Sequence, residues 1–145
     1  FNFFIIDPSN EDDKFLRIKI RKLINQLTQN GLDFKKFKLT LENLYKSNQT
    51  IEFYIKKNIK DNSIFLNQKK SIILSENFLN QPDEIVFRSF SELIHKLGNK
   101  KKYTRGSKIL NLIRSINLSE NFKKKTLSGC TFEKLNKSII ISQER

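Results

Sequence analysis

The run PDEIVFRSFSELIHKLG, Pro82 to Gly98, reads as a helix from both ends inward. Pro82 suits a first helical position, and Asp83 and Glu84 put negative charge where the helix macrodipole favours it. Ile85, Val86, Phe90, Leu93, Ile94 and Leu97 recur at helical spacing as one apolar stripe, and Gly98 ends the element. Pairs of β-favouring runs lie on either side. Before the helix, Ser63 to Leu66 and Ser71 to Leu74 surround the polar Asn67-Gln68-Lys69-Lys70 and predict a small hairpin, after which Ser75 is placed to cap a brief helical turn through Leu79. After it, Thr104 or Ser107 is placed to cap a helix carrying Ile109, Leu110, Leu112, Ile113 and Ile116. A final hairpin then runs from Thr126 to Lys134 and from Ser138 to Gln143, turning at Leu135-Asn136-Lys137. Gly129 marks a bulge or a close approach inside its first strand.

Upstream, Phe37, Leu41, Leu44, Tyr45, Ile51 and Ile55 follow Asp33 on one helical side. They fit one long helix to Ile59 or two helices broken near Ser47-Asn48. A first helix spans Glu11 to Gln29 and stops at Asn30-Gly31, with Leu16, Ile20, Leu23, Ile24 and Leu27 as its apolar stripe. Lys14, Arg17 and Arg21 share another face. Asp7-Pro8-Ser9-Asn10 is turn chemistry, and Ser9 or Asn10 stands three residues before an acid, as a capping residue does. Phe1 to Ile6 reads as a strand or buried extended segment, not as a secretory signal. The expected fold is mainly α with small β-hairpins (α+β): a helical bundle followed by a basic helix and a C-terminal hairpin. Its expected parts are 1–30, a helical body with a hairpin over 31–98, and a basic region over 99–145.

With 37% hydrophobic and 30% charged residues among 145, the composition is that of a globular chain and not a disordered one. No apolar run approaches the ~20 residues of a spanning helix, so no membrane role is expected. A single cysteine, Cys130, leaves no internal disulfide and fits a reducing, cytoplasmic setting. The chain contains no Met, which raises the expectation that it is a piece of a longer protein. One histidine, His95, and one cysteine make no metal cluster; His95 reads as structural or solvent-facing and Cys130 as a buried structural thiol. Asp12-Asp13 and Asp83-Glu84 fall at helix starts, where the macrodipole accounts for them without acid–base chemistry. Gly31, Gly98, Gly106 and Gly129 are never adjacent, so no glycine-rich phosphate loop is available and no catalytic residue is assigned.

Charge carries the functional signal. The net charge is +13, which favours a polyanionic partner, although a coding bias toward Lys and Asn would account for part of the lysine excess. Residues 61–98 are net −1 and residues 99–145 are net +9. The patch gathers Lys100, Lys101, Lys102, Arg105, Lys108, Arg114, Lys123, Lys124 and Lys125. Tyr103 is available to stack on a base, and the amides of Gly106 and Ser107 could face a phosphate. The alternative is a solvated loop with no partner. Arg17 and Arg21 either face RNA or nucleotide phosphate or pair with Asp13 and other acids.

Two stretches resemble one family. Asp7, Ser9 and Asn10, then Phe15, then Arg17 and Arg21, resemble the Asp-x-Ser-Asn turn, aromatic and Arg-Asn-x-x-Arg helix of the bacterial tRNA(Ile)-lysidine synthetases. Ile18 stands where that family has Asn. Thr126-Leu127-Ser128-Gly129-Cys130 resembles its Thr-Leu-Gly-Gly-Cys strand, with Ser128 for the first Gly. The resemblance implies ATP-dependent ligation of L-lysine to the wobble cytidine of tRNA(Ile). ATP with Mg and lysine would be held by an upstream domain whose Ser-Gly-Gly-x-Asp-Ser loop is missing here, and this segment would hold tRNA(Ile). A homodimer is left open. Two other classes fit the residues: a non-catalytic basic RNA-binding module, and a protein-interaction adaptor built on the Phe-rich helices.

Overall fold

Asp33 sets the first landmark, because its Oδ1 accepts from the amides of Lys35 at 3.0 Å and Lys36 at 3.1 Å and so caps the helix that begins at Phe34. The computed structural model describes residues 16–66, 70–98, 104–119 and 122–144. Their order is α1 (Leu16–Gln29), α2 (Phe34–Asn62), β1 (Ser63–Leu66), β2 (Ser71–Leu74), α3 (Glu76–Leu79), α4 (Asp83–Gly98), α5 (Gly106–Leu118), β3 (Lys125–Leu127), β4 (Cys130–Leu135) and β5 (Ser138–Gln143). This is the mainly α, α+β chain expected from the sequence. It divides into two compact units between Ser47 and Asn48.

In the first unit, α1 ends as expected at Asn30-Gly31. Gly31 takes φ +95°, which lets the Leu32 amide donate to the Leu27 carbonyl at 2.9 Å and the Gly31 amide to Thr28 at 3.0 Å. The expected start at Glu11 and the residues Asp7, Ser9, Asn10 and Phe15 lie outside the described residues. The apolar stripe of α1 departs from expectation. Leu16, Ile20, Leu23 and Leu27 are 44–72% exposed, while Ile18 on the opposite side is buried. Phe37, Leu41, Leu44 and Tyr45 of α2 are exposed as well.

One unbroken helix runs from Phe34 to Asn62, which decides between the two readings of that stretch. Asn48 is tolerated inside it, its Oδ1 accepting from Arg88 Nη1 at 2.8 Å. Further along the same stripe, Ile55 and Asn58 are buried. Asn58 Nδ2 donates to the Phe78 carbonyl and to Ser89 Oγ, both at 3.3 Å, and its Oδ1 accepts from Asn62 at 2.9 Å. A polar side chain survives there because every group has a partner.

The two expected hairpins do not stand apart. β2 pairs antiparallel with β5, giving one sheet in the order β1-β2-β5-β4-β3. Ile72, Ile141 and Phe132 fall in register on its inner face, with Leu74 beside Ile139. Against that face lie Phe78, Val86, Phe90, Leu93 and Ile94, with Ile109, Leu112 and Ile116 of α5 completing the core. Each large side chain so buried contributes on the order of 1.5–3 kcal/mol. Phe78 meets Phe90 edge to face at 5.3 Å. The expected hairpin before α4 and the strands after it therefore lie in one sheet, and α4 and α5 pack on one core with it.

Local details correct the expected boundaries. Ser128 at φ +53° and Gly129 at φ +78° make a two-residue turn, so the single strand expected from Thr126 to Lys134 is two strands, β3 and β4. Pro82 precedes α4 as its capping position, its carbonyl accepting from Ile85 and Val86. Ser75 starts α3 without a side-chain cap, its hydroxyl bonding Asn62 Oδ1 instead.

Candidate nucleic-acid interface

Helix α5 presents Lys108, Asn111 and Ser115 along one flank, because positions three, four and seven apart share a helix side. Its neighbouring face sends Ile109, Leu112 and Ile116 into the core. The edge strand β3 runs alongside, and between them lies an open groove of about 330 Å³. Its polar lining is Lys108, Asn111, Ser115, Lys125 and Thr126, and Leu112 and Leu127 form its floor. Lys125 Nζ donates to Ser115 Oγ at 2.7 Å and stands 5.8 Å from the Phe122 ring centroid, so the ammonium is held at the groove and not trailing in solvent. No carboxylate lines the groove among the described residues. The Ser115 hydroxyl donates to the Asn111 carbonyl at 2.8 Å and accepts from Lys125, which leaves two ammonium groups, the Asn111 side-chain amide and the Thr126 hydroxyl as a donor set suited to phosphodiester oxygens.

The remaining sequence-predicted residues are placed unequally. Arg105 holds the N-cap position of α5, exposed and without a side-chain cap bond, ahead of the first-turn residues Gly106 and Ser107. Thr104, expected as a cap, instead donates to Ser128 Oγ at 2.5 Å. Arg114 is exposed and lies about 120° around α5 from Lys108, outside the groove. Lys123 is exposed on the segment that enters β3. Lys124 is engaged with Glu133 at 2.6 Å across the sheet. Arg17 and Arg21 are exposed one turn apart on α1, in the first unit. Lys100, Lys101, Lys102 and Tyr103 lie outside the described residues.

Asn111, Ser115 and Thr126 escaped the sequence reading, which followed charge. The signal that would have found them is the helical spacing from Lys108. Lys134 shows the converse. Its Nζ donates to the carbonyls of Ile116 at 3.0 Å and Ser119 at 3.3 Å, closing the C-terminus of α5.

The other candidate residues have structural surroundings. Cys130 is fully buried, its thiol donating to the Ile94 carbonyl at 3.7 Å. Glu84 binds Arg88 at 2.6 Å. His95 is half-buried and lines a cleft with Glu52, Phe87 and Glu92. Gly98 packs on the Ser128 carbonyl, Gly106 has the Phe87 ring 3.3 Å from where a Cβ would sit, Gly129 turns a hairpin and Gly31 ends a helix. Spread over four separate places, the glycines do not fit a cradle for nucleotide phosphates, and no ligation step is assigned to residues of this chain. Among the described residues no three His, Cys, Asp or Glu side chains come together as metal ligands. No helix among them is long and apolar enough to cross a membrane. No protein-family model matches the chain, and no curated protein is significantly similar to it.

Proposed function

We propose that this chain is the tRNA-holding portion of a cytoplasmic tRNA(Ile)-lysidine synthetase. The observation that carries the RNA-binding part is the α5–β3 groove, which Lys108 and Lys125 both line and which has no carboxylate among its described lining residues. The enzyme identity draws on the resemblance alone, which gains a physical rationale at the hairpin. A Gly-Gly pair suits a turn with two positive φ values, and Ser128-Gly129 takes that conformation here. In this reading ATP with Mg and L-lysine bind to a preceding domain that adenylates C2 of the wobble cytidine. The lysine amine then displaces AMP. Residues of this chain contribute position: phosphate contacts fix the tRNA's register while its anticodon reaches the other domain.

The test is binding of tRNA(Ile) and an unrelated tRNA across a salt series. Preferential binding of tRNA(Ile), with affinity falling steeply as salt rises, supports the reading. Replacing Lys100, Lys101, Lys102 and Arg105 with Ala should then weaken binding and flatten that slope. Equal binding of both tRNAs would leave a non-specific basic RNA module, and no binding at moderate salt would remove RNA altogether.

A second reading, a protein-interaction adaptor, is favoured by the exposed stripes of α1 and α2. Leu16, Ile20, Leu23, Phe37, Leu41 and Leu44 form apolar helix faces rarely left bare. It predicts an apolar protein partner and no RNA affinity.

A further inference from the structure

A second open pocket, of about 260 Å³, lies where the end of α4 meets β1, β2 and the end of β5. Phe65, Ile72 and Leu97 supply its apolar surface, and Lys70, Lys96 and Gln143 its polar groups. Lys96 Nζ stands 4.6 Å over the Phe65 ring centroid, so an exposed cation covers a face of that ring. The Gln143 backbone N–H donates to the Lys70 carbonyl at 3.0 Å, which ties the end of β5 to Lys70 ahead of β2. No carboxylate lines the pocket among the described residues, although residues 61–98 as a whole are net −1. An apolar cleft with two ammonium groups and one amide is built for a flat, aromatic anion.

We propose that this pocket takes one unstacked nucleotide of an RNA strand, with its base on Phe65 and its phosphate between Lys70 and Lys96. The inference rests on the RNA-binding reading above and adds a site separate from the α5–β3 groove. The size matches: the pocket falls just below the roughly 300 Å³ at which drug-sized ligand sites begin, enough for one base and not for a base pair. A base stacking on Phe65 displaces an exposed cation–π contact, and the freed Lys96 ammonium is then at hand for the phosphate. Gln143 can donate and accept at the base edge, as single-stranded RNA recognition requires. A duplex keeps its bases stacked and cannot enter.

The experiment compares a short single-stranded RNA, its blunt duplex and free cytidine monophosphate, using wild type, Phe65→Ala, Phe65→Leu and Lys96→Gln, each first shown to be folded by its thermal transition. Phe65→Ala should weaken single-strand binding about tenfold while duplex binding stays unchanged. Phe65→Leu should lose about as much, since it keeps the bulk and not the ring. Lys96→Gln should weaken the single strand with a smaller salt slope. Unchanged single-strand affinity in the Phe65 variants, while wild type still binds RNA, overturns the pocket alone. Equal losses on strand and duplex overturn it too, and so does a Phe65 effect confined to the free nucleotide. Wild type binding neither RNA overturns the RNA-binding reading, and this inference with it.

Discussion

The Lys134 ammonium, carried on β4, donates to the Ile116 carbonyl of α5 at 3.0 Å and to Ser119 at 3.3 Å. A cation in the most basic third of the chain is thus committed to closing a helix, where the last carbonyls and the negative end of the dipole need it. Lys134→Met should lower stability by about 1 kcal/mol, read as a shift in the urea midpoint. RNA affinity at fixed salt should change less than in Lys108→Ala. A variant as stable as wild type would show that water replaces the lysine at no cost.

Buried Asn58 ties α2 to α3 and α4 through the Phe78 carbonyl and Ser89 Oγ. Asn58→Ala should cost about 1–3 kcal/mol in urea unfolding, because it leaves buried groups unsatisfied. Asn58→Asp should be worse at neutral pH and recover as pH falls, since only the protonated acid can donate to that carbonyl. Stability of Asn58→Asp that rises with pH would contradict this geometry.

Gly98 closes α4 against the β3–β4 turn, and a Cβ there would collide with the Ser128 carbonyl and sit 3.2 Å from Cys130 Sγ. Helix propensity favours Ala over Gly by about 1 kcal/mol, yet a backbone oxygen cannot swing aside as a side chain can. Gly98→Ala should therefore destabilise, by roughly 1–3 kcal/mol for the forced shift. An increase in melting temperature would mean that the turn moves freely.

The lysines of the basic region should separate by their partners. Lys108→Ala should lower the slope of log affinity against log salt by about one, as loss of a single phosphate contact does. Lys124→Ala should do less, because that ammonium is held by Glu133 at 2.6 Å. Glu133→Gln should then strengthen RNA binding slightly by releasing it. Identical slopes for Lys108→Ala and Lys124→Ala would show that the groove has no special place in binding.

Much of this fold is legible in the sequence. Periodicity placed α4, the stop at Asn30-Gly31 follows from glycine's access to positive φ, and β-favouring runs located β1, β2 and β5. These features depend on residues close together in the chain, so local rules suffice for them. The concentration of positive charge after residue 98 is likewise a property of the sequence alone.

Other features depended on residues far apart in the chain. Ile72 beside Ile141 joins two hairpins into one sheet, because two isoleucine-rich strands bury more apolar area as neighbours than as separate edges. That sheet brings β3 beside α5, which turns Lys108 and Lys125 into one groove while Lys124 and Lys134 are taken up by Glu133 and by helix carbonyls. A sequence counts these four lysines alike. Their partners differ because each ammonium takes the nearest carboxylate, hydroxyl or carbonyl, and only the tertiary structure decides which one is near.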